Sequence, residues 1–303
     1  MSRLPPLPDA STPRTMRDQA VHQALALRSA IEPSALAGWL AQAHLVGLAA
    51  PGCSLRGLGL TGLDLRWSTL SEADLRGTEL DGAQLEGARL TGANLDGARL
   101  VGAHLGQADL SGASLESASL GGATLQNATL TRANLRRADL AVTGGRCTDL
   151  SGTVLQGADL SSAILTGARL HRTDLREARL RRTVLFGADI REATFRGATL
   201  ERVDLTRANL LDVRDLPDGF TDARVAEATL DWRTVARLVH RDGIGPLLMA
   251  TGMPAVSATY LVTRCARSTP RTSSPCFSPC SCPTGARMPL SPTGCARICP
   301  RTV

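Results

Sequence analysis

The stretch that decides the fold is residues 91–110, TGANLDGARLVGAHLGQADL, in which leucine occupies every fifth position. The same spacing extends far beyond this stretch. From Leu55 to Leu210 there are 32 positions at multiples of five, and leucine fills 29 of them; the exceptions are Gly145, Ile190 and Phe195. Self-similarity at a fixed period over this length predicts a repeat architecture, because such a chain builds its core from one recurring unit.

A period of five fits neither regular secondary structure. Five residues of α-helix rotate by about 140° beyond a full turn, so the leucines would spread around every side of a helix. Five is an odd number, so on a strand successive leucines would point to opposite faces. The pattern becomes consistent if the chain turns a corner after each five-residue unit, so that every short extended segment directs its leucine into one shared interior.

The positions around each leucine support this interpretation. The residue two places earlier is alanine at 21 of the 32 sites and threonine at six. The residue between them is often polar, as at Asn94 and Asp109, and such side chains can bond to turn backbone. Glycine recurs two places after the leucine, as at Gly97 and Gly102, where a tight corner favours it. The sequence therefore predicts a narrow aliphatic interior with a polar exterior.

The units ANLDG, ADLSG, ANLRR and ADLSS resemble the A(D/N)LXX repeats of the pentapeptide-repeat family, and the match covers about residues 53–212. The resemblance implies an all-β solenoid, a right-handed quadrilateral β-helix with four pentapeptides per coil. Thirty-two units then give about eight coils. One unit departs from the pattern: residues 141–147 read AVTGGRC, with Gly145 in place of leucine, yet leucine returns at Leu150. We interpret this as a core defect or a bulge without inserted residues.

The flanks suggest five segments. We expect a disordered N-terminus over 1–15, a helical cap over 16–50 with two short helices split at Pro33, and the β-helix over 51–212. A helical connector over 213–262 includes an amphipathic helix from Asp222 to His240, which would also offer a surface for a homodimer. Residues 263–303 are rich in Pro, Cys and Arg and contain no acidic residue, so we expect them to be disordered.

The connector also resembles one that precedes a Toll/interleukin-1-receptor-like domain in bacterial pentapeptide arrays. The tail that follows it reads like an out-of-frame translation of a GC-rich gene. An alternative interpretation is therefore a truncated relative of a multidomain effector whose enzymatic domain is lost. The tail supplies no catalytic carboxylate for NAD hydrolysis, so we do not expect that activity.

Composition narrows the function further. The chain has 303 residues, a net charge of +6, no lysine and 3% aromatic residues. No apolar run is long enough to span a bilayer, which favours a cytoplasmic protein. Six of the eight cysteines lie after residue 264 and form no CxxC pair, so we expect neither a disulfide framework nor a zinc site. The five histidines are scattered and no nucleophile motif is present, so we expect no catalysis and no cofactor.

Charge divides the repeat array into two halves. Residues 51–130 carry nine acids and five arginines, whereas residues 131–212 carry ten acids and 14 arginines. At 20 residues per coil, Arg136, Gln156, Arg176 and Arg196 are expected to stack on one face with Arg137 alongside; Asp139 would likewise lie over Asp159. These arginines are the candidate contacts for an acidic partner.

We therefore expect a non-enzymatic scaffold whose rigid surface binds a protein. Nucleic acid is disfavoured because the array has few aromatic residues on which bases could stack. The resemblance also implies a further alternative, because some family members bind DNA gyrase or topoisomerases by imitating DNA. The array's net charge of zero disfavours that alternative.

Overall fold

The computed structural model describes residues 3–8, 11–217 and 223–230. Its framework is a set of parallel backbone bridges between residues 20 positions apart, beginning with Ala49↔Thr69 and reaching Asp204↔Arg224. Twenty residues are four units, so each coil has four sides, as the resemblance implied. Most sides contribute one bridging residue. Two-residue strands form only at β1 (Asn209–Leu210) and β2 (Thr229–Leu230) among the described residues, and these pair in parallel.

The core is the predicted column of leucine and alanine. Every leucine at a multiple of five from Leu70 to Leu140 is at most 1% exposed. Ile190 and Phe195 are fully buried at the positions where they replace leucine. The alanines two residues earlier are buried as well. Because these two inward positions fill the interior, all other positions of a unit are free to vary. In the described solenoid, the side chains that are accessible to solvent are therefore those of the outward residues.

Each corner is a tight turn that displays two adjacent side chains. In the unit centred on Leu70, the backbone N–H of Ala73 donates to the Leu70 carbonyl at 3.1 Å, and Glu72 between them has φ = 58°. A positive φ at this third turn residue is the feature that a type II turn requires. Corners of the C-terminal half place arginine there, as at Arg132, Arg137 and Arg182. The turn geometry thus fixes the positions at which these arginine side chains project from the solenoid.

The step between coils changes at one place. Ser119 bridges Asp139, 20 residues away, but the next partners along the chain, such as Asp139 and Ile164, are 25 residues apart. After Asp149 the step returns to 20. The expectation that no residues are inserted near Gly145 is therefore wrong. Five extra residues leave the coil, and because five is one whole unit, the leucine spacing in the sequence is unbroken.

Two helices cover the N-terminal end of the solenoid. α1 spans Arg14–Ala26, a 3₁₀ turn spans Arg28–Ala30, and α2 spans Pro33–Gln42. Pro33 is the first residue of α2. Proline is tolerated there because the backbone N–H that it lacks would have no acceptor within the helix. Leu36 and Leu40 of α2 are at most 1% exposed and belong to the same core cluster as the solenoid leucines.

The segment before the helices is ordered where the structure describes it, so the prediction of disorder over 1–15 is wrong there. The Pro5 carbonyl accepts a hydrogen bond from the Trp39 indole N–H at 2.9 Å. Leu4 packs against the core, Pro8 is buried, and α1 already begins at Arg14. A buried indole N–H needs an acceptor, and this proline-rich segment supplies it.

The solenoid also continues further towards the C-terminus than predicted. The amphipathic helix expected from Asp222 is wrong for residues 223–230, because Arg224 bridges Asp204 and β2 pairs with β1. Val225 and Leu230 fall on multiples of five, each preceded by an alanine two residues earlier, so the repeat pattern was present in the sequence. The eight-coil count omitted these units and included the inserted one. The predicted connector after residue 230, its homodimer surface and the tail over 263–303 lie outside the described residues.

Candidate interaction surface

The inserted residues form a small hairpin, which we call the 143–147 loop. The backbone N–H of Thr143 donates to the Arg146 carbonyl, and that of Arg146 donates to the Thr143 carbonyl, both at 3.0 Å. Between them Gly144 and Gly145 have φ values of 59° and 74°. Two consecutive positive φ angles are the mark of a two-residue type I′ hairpin. Gly145 is therefore a turn residue at the tip of an exposed loop, not a defect in the core.

The Thr148 side chain supplies the hydrogen-bond acceptor that the backbone ladder lacks at the loop. In an ordinary coil the N–H at this corner donates to a carbonyl of the next coil, as Gly102 donates to Gly121 at 3.0 Å. At the loop the corresponding N–H of Gly122 donates to the Thr148 hydroxyl at 2.9 Å, and that hydroxyl donates to the Leu120 carbonyl at 3.0 Å. Thr148 thus occupies an inward alanine position because its hydroxyl replaces a missing carbonyl.

The loop rests on glycines of the neighbouring coils. A Cβ at Gly121 would collide with the Thr143 side chain, and a Cβ at Gly167 would lie 2.6 Å from Cγ2 of Val142. Both glycines therefore permit a close approach that no other residue allows. The pair Gly121–Gly122 is the sequence signal for this loop, and the five-residue spacing alone does not reveal it.

The insertion changes which surface residues stack. The backbone N–H of Arg137 donates to the Ser161 carbonyl at 3.0 Å. The corner formed by Arg136 and Arg137 therefore stacks on Ser161 and not on Gln156. Gln156 instead lies between Arg132 and Arg176. The predicted column of Arg136, Gln156, Arg176 and Arg196 is thus wrong in its first member.

The predicted stacking of two carboxylates is wrong for the same reason. Asp139 bridges Ile164, whereas Asp159 bridges Asn134 and Arg179.

All four predicted contact arginines nevertheless lie on one side of the solenoid. One column of corners carries Arg132, Arg176 and Arg196, and the next column carries Arg136 and Arg137. Both columns, and the side of the solenoid between them, extend through the coils that follow. We call this surface the arginine face. Its nine members are Arg132, Arg136, Arg137, Arg176, Arg179, Arg181, Arg182, Arg196 and Arg202. Against them stand three acidic residues, namely Asp159, Glu177 and Glu201.

Most of these arginines are not neutralised. Arg176 pairs with Asp174 at 2.6 Å, and Arg181 pairs with Glu201 at 3.3 Å. Partial burial raises the pKa of Asp174, but hydrogen bonds from the Arg176 side chain and backbone outweigh burial and hold that pKa below its usual range. Within the described residues, no carboxylate lies within 4.0 Å of the other seven, which are Arg132, Arg136, Arg137, Arg179, Arg182, Arg196 and Arg202. All seven are exposed.

An apolar strip adjoins the arginine face around the corner formed by Arg137 and Arg182. It consists of Val142, Ile164, Val184 and Phe186. Val142 and Ile164 are each 41% exposed and Phe186 is 37% exposed. Ile164 and Val184 bridge each other in successive coils, and the Arg207 guanidinium lies 5.7 Å from the centre of the Phe186 ring. The sequence analysis did not identify the strip. Ile164 and Val184 are 20 residues apart and both follow the insertion, so a 20-residue coil already stacks them, and only the place of Val142 depends on the insertion.

The described part of the chain offers little for other chemistry. It contains no cluster of three or more His, Cys, Asp or Glu residues that could hold a metal ion. Cys53 and Cys147 are free thiols, and burial raises the pKa of Cys53 to about 11, which keeps it protonated and unreactive. None of the helices described here is both long and apolar enough to cross a bilayer.

Comparison with known families finds eight copies of the pentapeptide-repeat model, over residues 68–107, 108–141, 146–182 and 183–214. The break between the second and third ranges falls at the 143–147 loop. No curated protein matches the chain significantly.

Several solved structures of pentapeptide-repeat proteins are similar to this chain. HetL from Nostoc sp. strain PCC 7120, a protein involved in heterocyst differentiation regulation, is 32% identical over 61% of this chain and 88% of its own, with a TM-score of 0.28. Full-length QnrB1, a plasmid-mediated fluoroquinolone resistance protein, is 21% identical over 66% of this chain and 92% of its own, with a TM-score of 0.36. Rfr23 from Cyanothece 51142 is 22% identical over 54% of this chain and 91% of its own, with a TM-score of 0.23.

Proposed function

Because the chain belongs to the pentapeptide-repeat family of right-handed β-helical solenoids, we propose that it is a non-enzymatic scaffold that binds an acidic protein partner through the arginine face. The observation that carries the proposal is the set of seven exposed arginines without carboxylate partners on one side of the C-terminal half. A solenoid with a continuous aliphatic core holds these charges at fixed spacings of about 4.8 Å per coil. Such preorganisation lowers the entropy cost of binding.

The chemistry of the face favours carboxylates. A guanidinium forms paired hydrogen bonds to a carboxylate, and it is desolvated more easily than an ammonium group. The arginine face presents its guanidinium groups at two neighbouring corners and on the side between them. An acidic segment lying across that side could contact several of them at once. Arg136, Arg137, Arg176 and Arg196 therefore remain proposed contacts, and Arg132, Arg179 and Arg182 join them.

A nucleic acid fits this face less well than a protein does. Non-specific binding of single strands relies on aromatic side chains between basic ones. The repeat array contains only Trp67, Phe186 and Phe195, and Phe195 is fully buried. None of the three lies on the arginine face.

Imitation of DNA is also disfavoured, because a duplex mimic needs a negative surface. The acidic half of the array, residues 51–130, has a net charge of −4, and the half that carries the arginine face has a net charge of +4.

A charge-reversal variant tests the proposal. We would replace Arg137, Arg179 and Arg182 with glutamate and compare the proteins that the full chain retains from a lysate of its source organism at low and high salt. The control replaces three exposed arginines elsewhere, Arg56, Arg89 and Arg224, with glutamate, so the change in net charge is the same.

The proposal predicts acidic proteins that bind the wild type and the control in a salt-sensitive way and do not bind the face variant. Retention of the same proteins by both variants would overturn it. A DNA gyrase supercoiling assay provides the opposing result: inhibition that persists or improves in the face variant would support DNA imitation instead.

A further inference from the structure

The apolar strip occupies positions that are otherwise polar. The residue directly before each core leucine faces outwards. In the described solenoid a branched aliphatic residue stands there at only three sites, Val154, Ile164 and Val184. Two of these three are bridged neighbours, and Phe186 and Val142 extend them around the corner. Isolated exposed apolar residues need no explanation, but a contiguous group on an otherwise polar solenoid marks an interaction site.

The strip has a charged border. Arg137, Arg182 and Arg202 lie along one long side, and Arg207 lies beside Phe186 on the other. Asp139 and Asp204 stand at the two ends of the row that Ile164 and Val184 form. Arg207 is already paired with Glu227 at 2.7 Å. Arg137, Arg182 and Arg202, which have no carboxylate within 4.0 Å among the described residues, therefore give the border its excess of positive charge. An apolar centre with a polar rim that includes arginine is the usual arrangement of a protein interface.

We infer that the apolar strip anchors a peptide segment of a partner protein in which apolar side chains are flanked by acidic residues. This inference rests on the proposed function, since the same partner would contact the arginine face around the shared corner. The apolar side chains would cover Ile164, Val184 and Phe186, and the acidic residues would pair with Arg137, Arg182 and Arg202. A second copy of this chain fits poorly, because pairing two identical strips would bring their arginine borders against each other.

The fixed loop gives the strip one defined edge. Val142 lies at the base of the 143–147 loop, donates its backbone N–H to the Thr166 carbonyl at 3.1 Å and packs over Gly167. The insertion therefore holds an apolar side chain at a corner position that glycine occupies in the coils on either side, at Gly122 and Gly167. The loop thus enlarges the strip without disturbing the core.

The test uses a display library of random peptides selected on the immobilised full-length chain. Individual selected peptides are then synthesised and their affinities measured by fluorescence anisotropy. The strip variant is Ile164→Thr/Val184→Thr, because threonine is β-branched and occupies the same outward position at Thr124 and Thr194. Val154→Thr is the matched control, because it makes the same change at the same position of a unit on another side of the solenoid.

We expect selected peptides that combine apolar and acidic residues, bind the strip variant at least about tenfold more weakly and bind the control within about twofold of wild type. Failure to select any peptide, or equal affinity for the wild type and the strip variant, would overturn the inference. Peptides that are sensitive to the Arg137/Arg179/Arg182 glutamate variant but not to the strip variant would leave the proposed function standing without the strip. A concentration-dependent dimer that the strip variant abolishes would assign the strip to a second copy and would also overturn the inference.

Discussion

At the scale of single residues, Thr148 satisfies two backbone groups with one hydroxyl. Replacing it with valine keeps the size and branching of the side chain but leaves the Gly122 N–H without an acceptor in a buried position. An unsatisfied buried donor costs about 1–3 kcal/mol. We therefore expect Thr148→Val to lower the free energy of unfolding by about that amount in denaturant titrations.

Thr153→Val is the matched control. Its hydroxyl also donates to a carbonyl of the preceding coil, that of Leu125, but it accepts no backbone N–H. The Leu125 carbonyl keeps a second donor, the Ala128 N–H at 3.0 Å. The control should therefore be the milder change. Equal losses in the two variants would mean that Thr148 does not replace a ladder carbonyl.

The pairing of Asp74 with Arg76 predicts a dependence on pH. Hydrogen bonds from the Arg76 side chain, opposed by partial burial and assisted by the Arg76 backbone N–H, lower the pKa of Asp74 to about 2. The folded-state pKa is below the unfolded value of about 3.9, so the stabilisation is fully present above about pH 4 and is lost as pH falls towards 2. An NMR titration of the Asp74 carboxyl should show its pKa rising in Arg76→Gln. An unchanged pKa would show that Arg76 does not set it.

At the scale of elements, the 143–147 loop is one repeat unit that the coil does not use. Deleting residues 143–147 joins Val142 to Thr148 and produces the unbroken run LAVTDL, in which Thr148 and Leu150 keep their inward positions. Residue 142 then becomes the third residue of a turn, which needs a positive φ that strains a β-branched side chain. The deletion is therefore made together with Val142→Gly, since glycine is the residue found at the equivalent positions Gly102 and Gly167. We expect this variant to fold with a melting temperature at or above that of the wild type, because the ladder closes and a loop is lost. Thermal unfolding followed by circular dichroism measures it.

A four-residue deletion provides the comparison. Removing residues 143–146 leaves Cys147 as an extra residue, which the coil must expel or accept by moving the following inward side chains outwards. A shift of one residue reverses which side chains face the core, so this shorter deletion should be the more damaging one. If both deletions destabilised the solenoid equally, the loop would be part of the structural framework.

The loop also explains why the sequence predicted the repeat units but not the stacking of one coil on the next. Spacing alone predicted the corners and the buried residues, because every unit obeys it independently. The stacking of one coil on the next was not predictable in the same way, because an insertion of one whole unit leaves the spacing intact. Arg136 was therefore assigned to the wrong column. Val225 and Leu230 were missed for a different reason: Asp215 and Phe220 occupy the two multiples of five before them, so the leucine spacing is interrupted in the sequence.

At the scale of the whole molecule, the proposed contact residues are distributed along the outside of the solenoid. The acidic half ends near residue 130, and the loop, the apolar strip and the arginine face all follow it. Composition predicted the division of charge, since counting needs no stacking. The juxtaposition of the strip with the arginines depends on coil geometry and needed the structure.

The N-terminal cap gives the last prediction, because an open solenoid end exposes unpaired backbone groups and core leucines. α1 supplies an acceptor there, since the Asp18 carboxylate receives the N–H of Ala49, the first bridging residue, at 3.2 Å. Leu36 and Leu40 hold α2 on the end of the core. Leu36→Asp/Leu40→Asp should detach the cap, because buried carboxylates without partners are costly. The exposed coil edge should then pair with other molecules.

Size-exclusion chromatography with light scattering should show a larger oligomeric mass for this double variant than for the wild type, together with a lower melting temperature. Met16→Asp on α1, where the side chain is 59% exposed, is the control and should change neither quantity. A double variant with wild-type mass and melting temperature would mean that the first coil is stable without its helices. In that case the helices would be free to serve as a further binding surface, and their contacts with the core would not be needed for the solenoid to stay soluble.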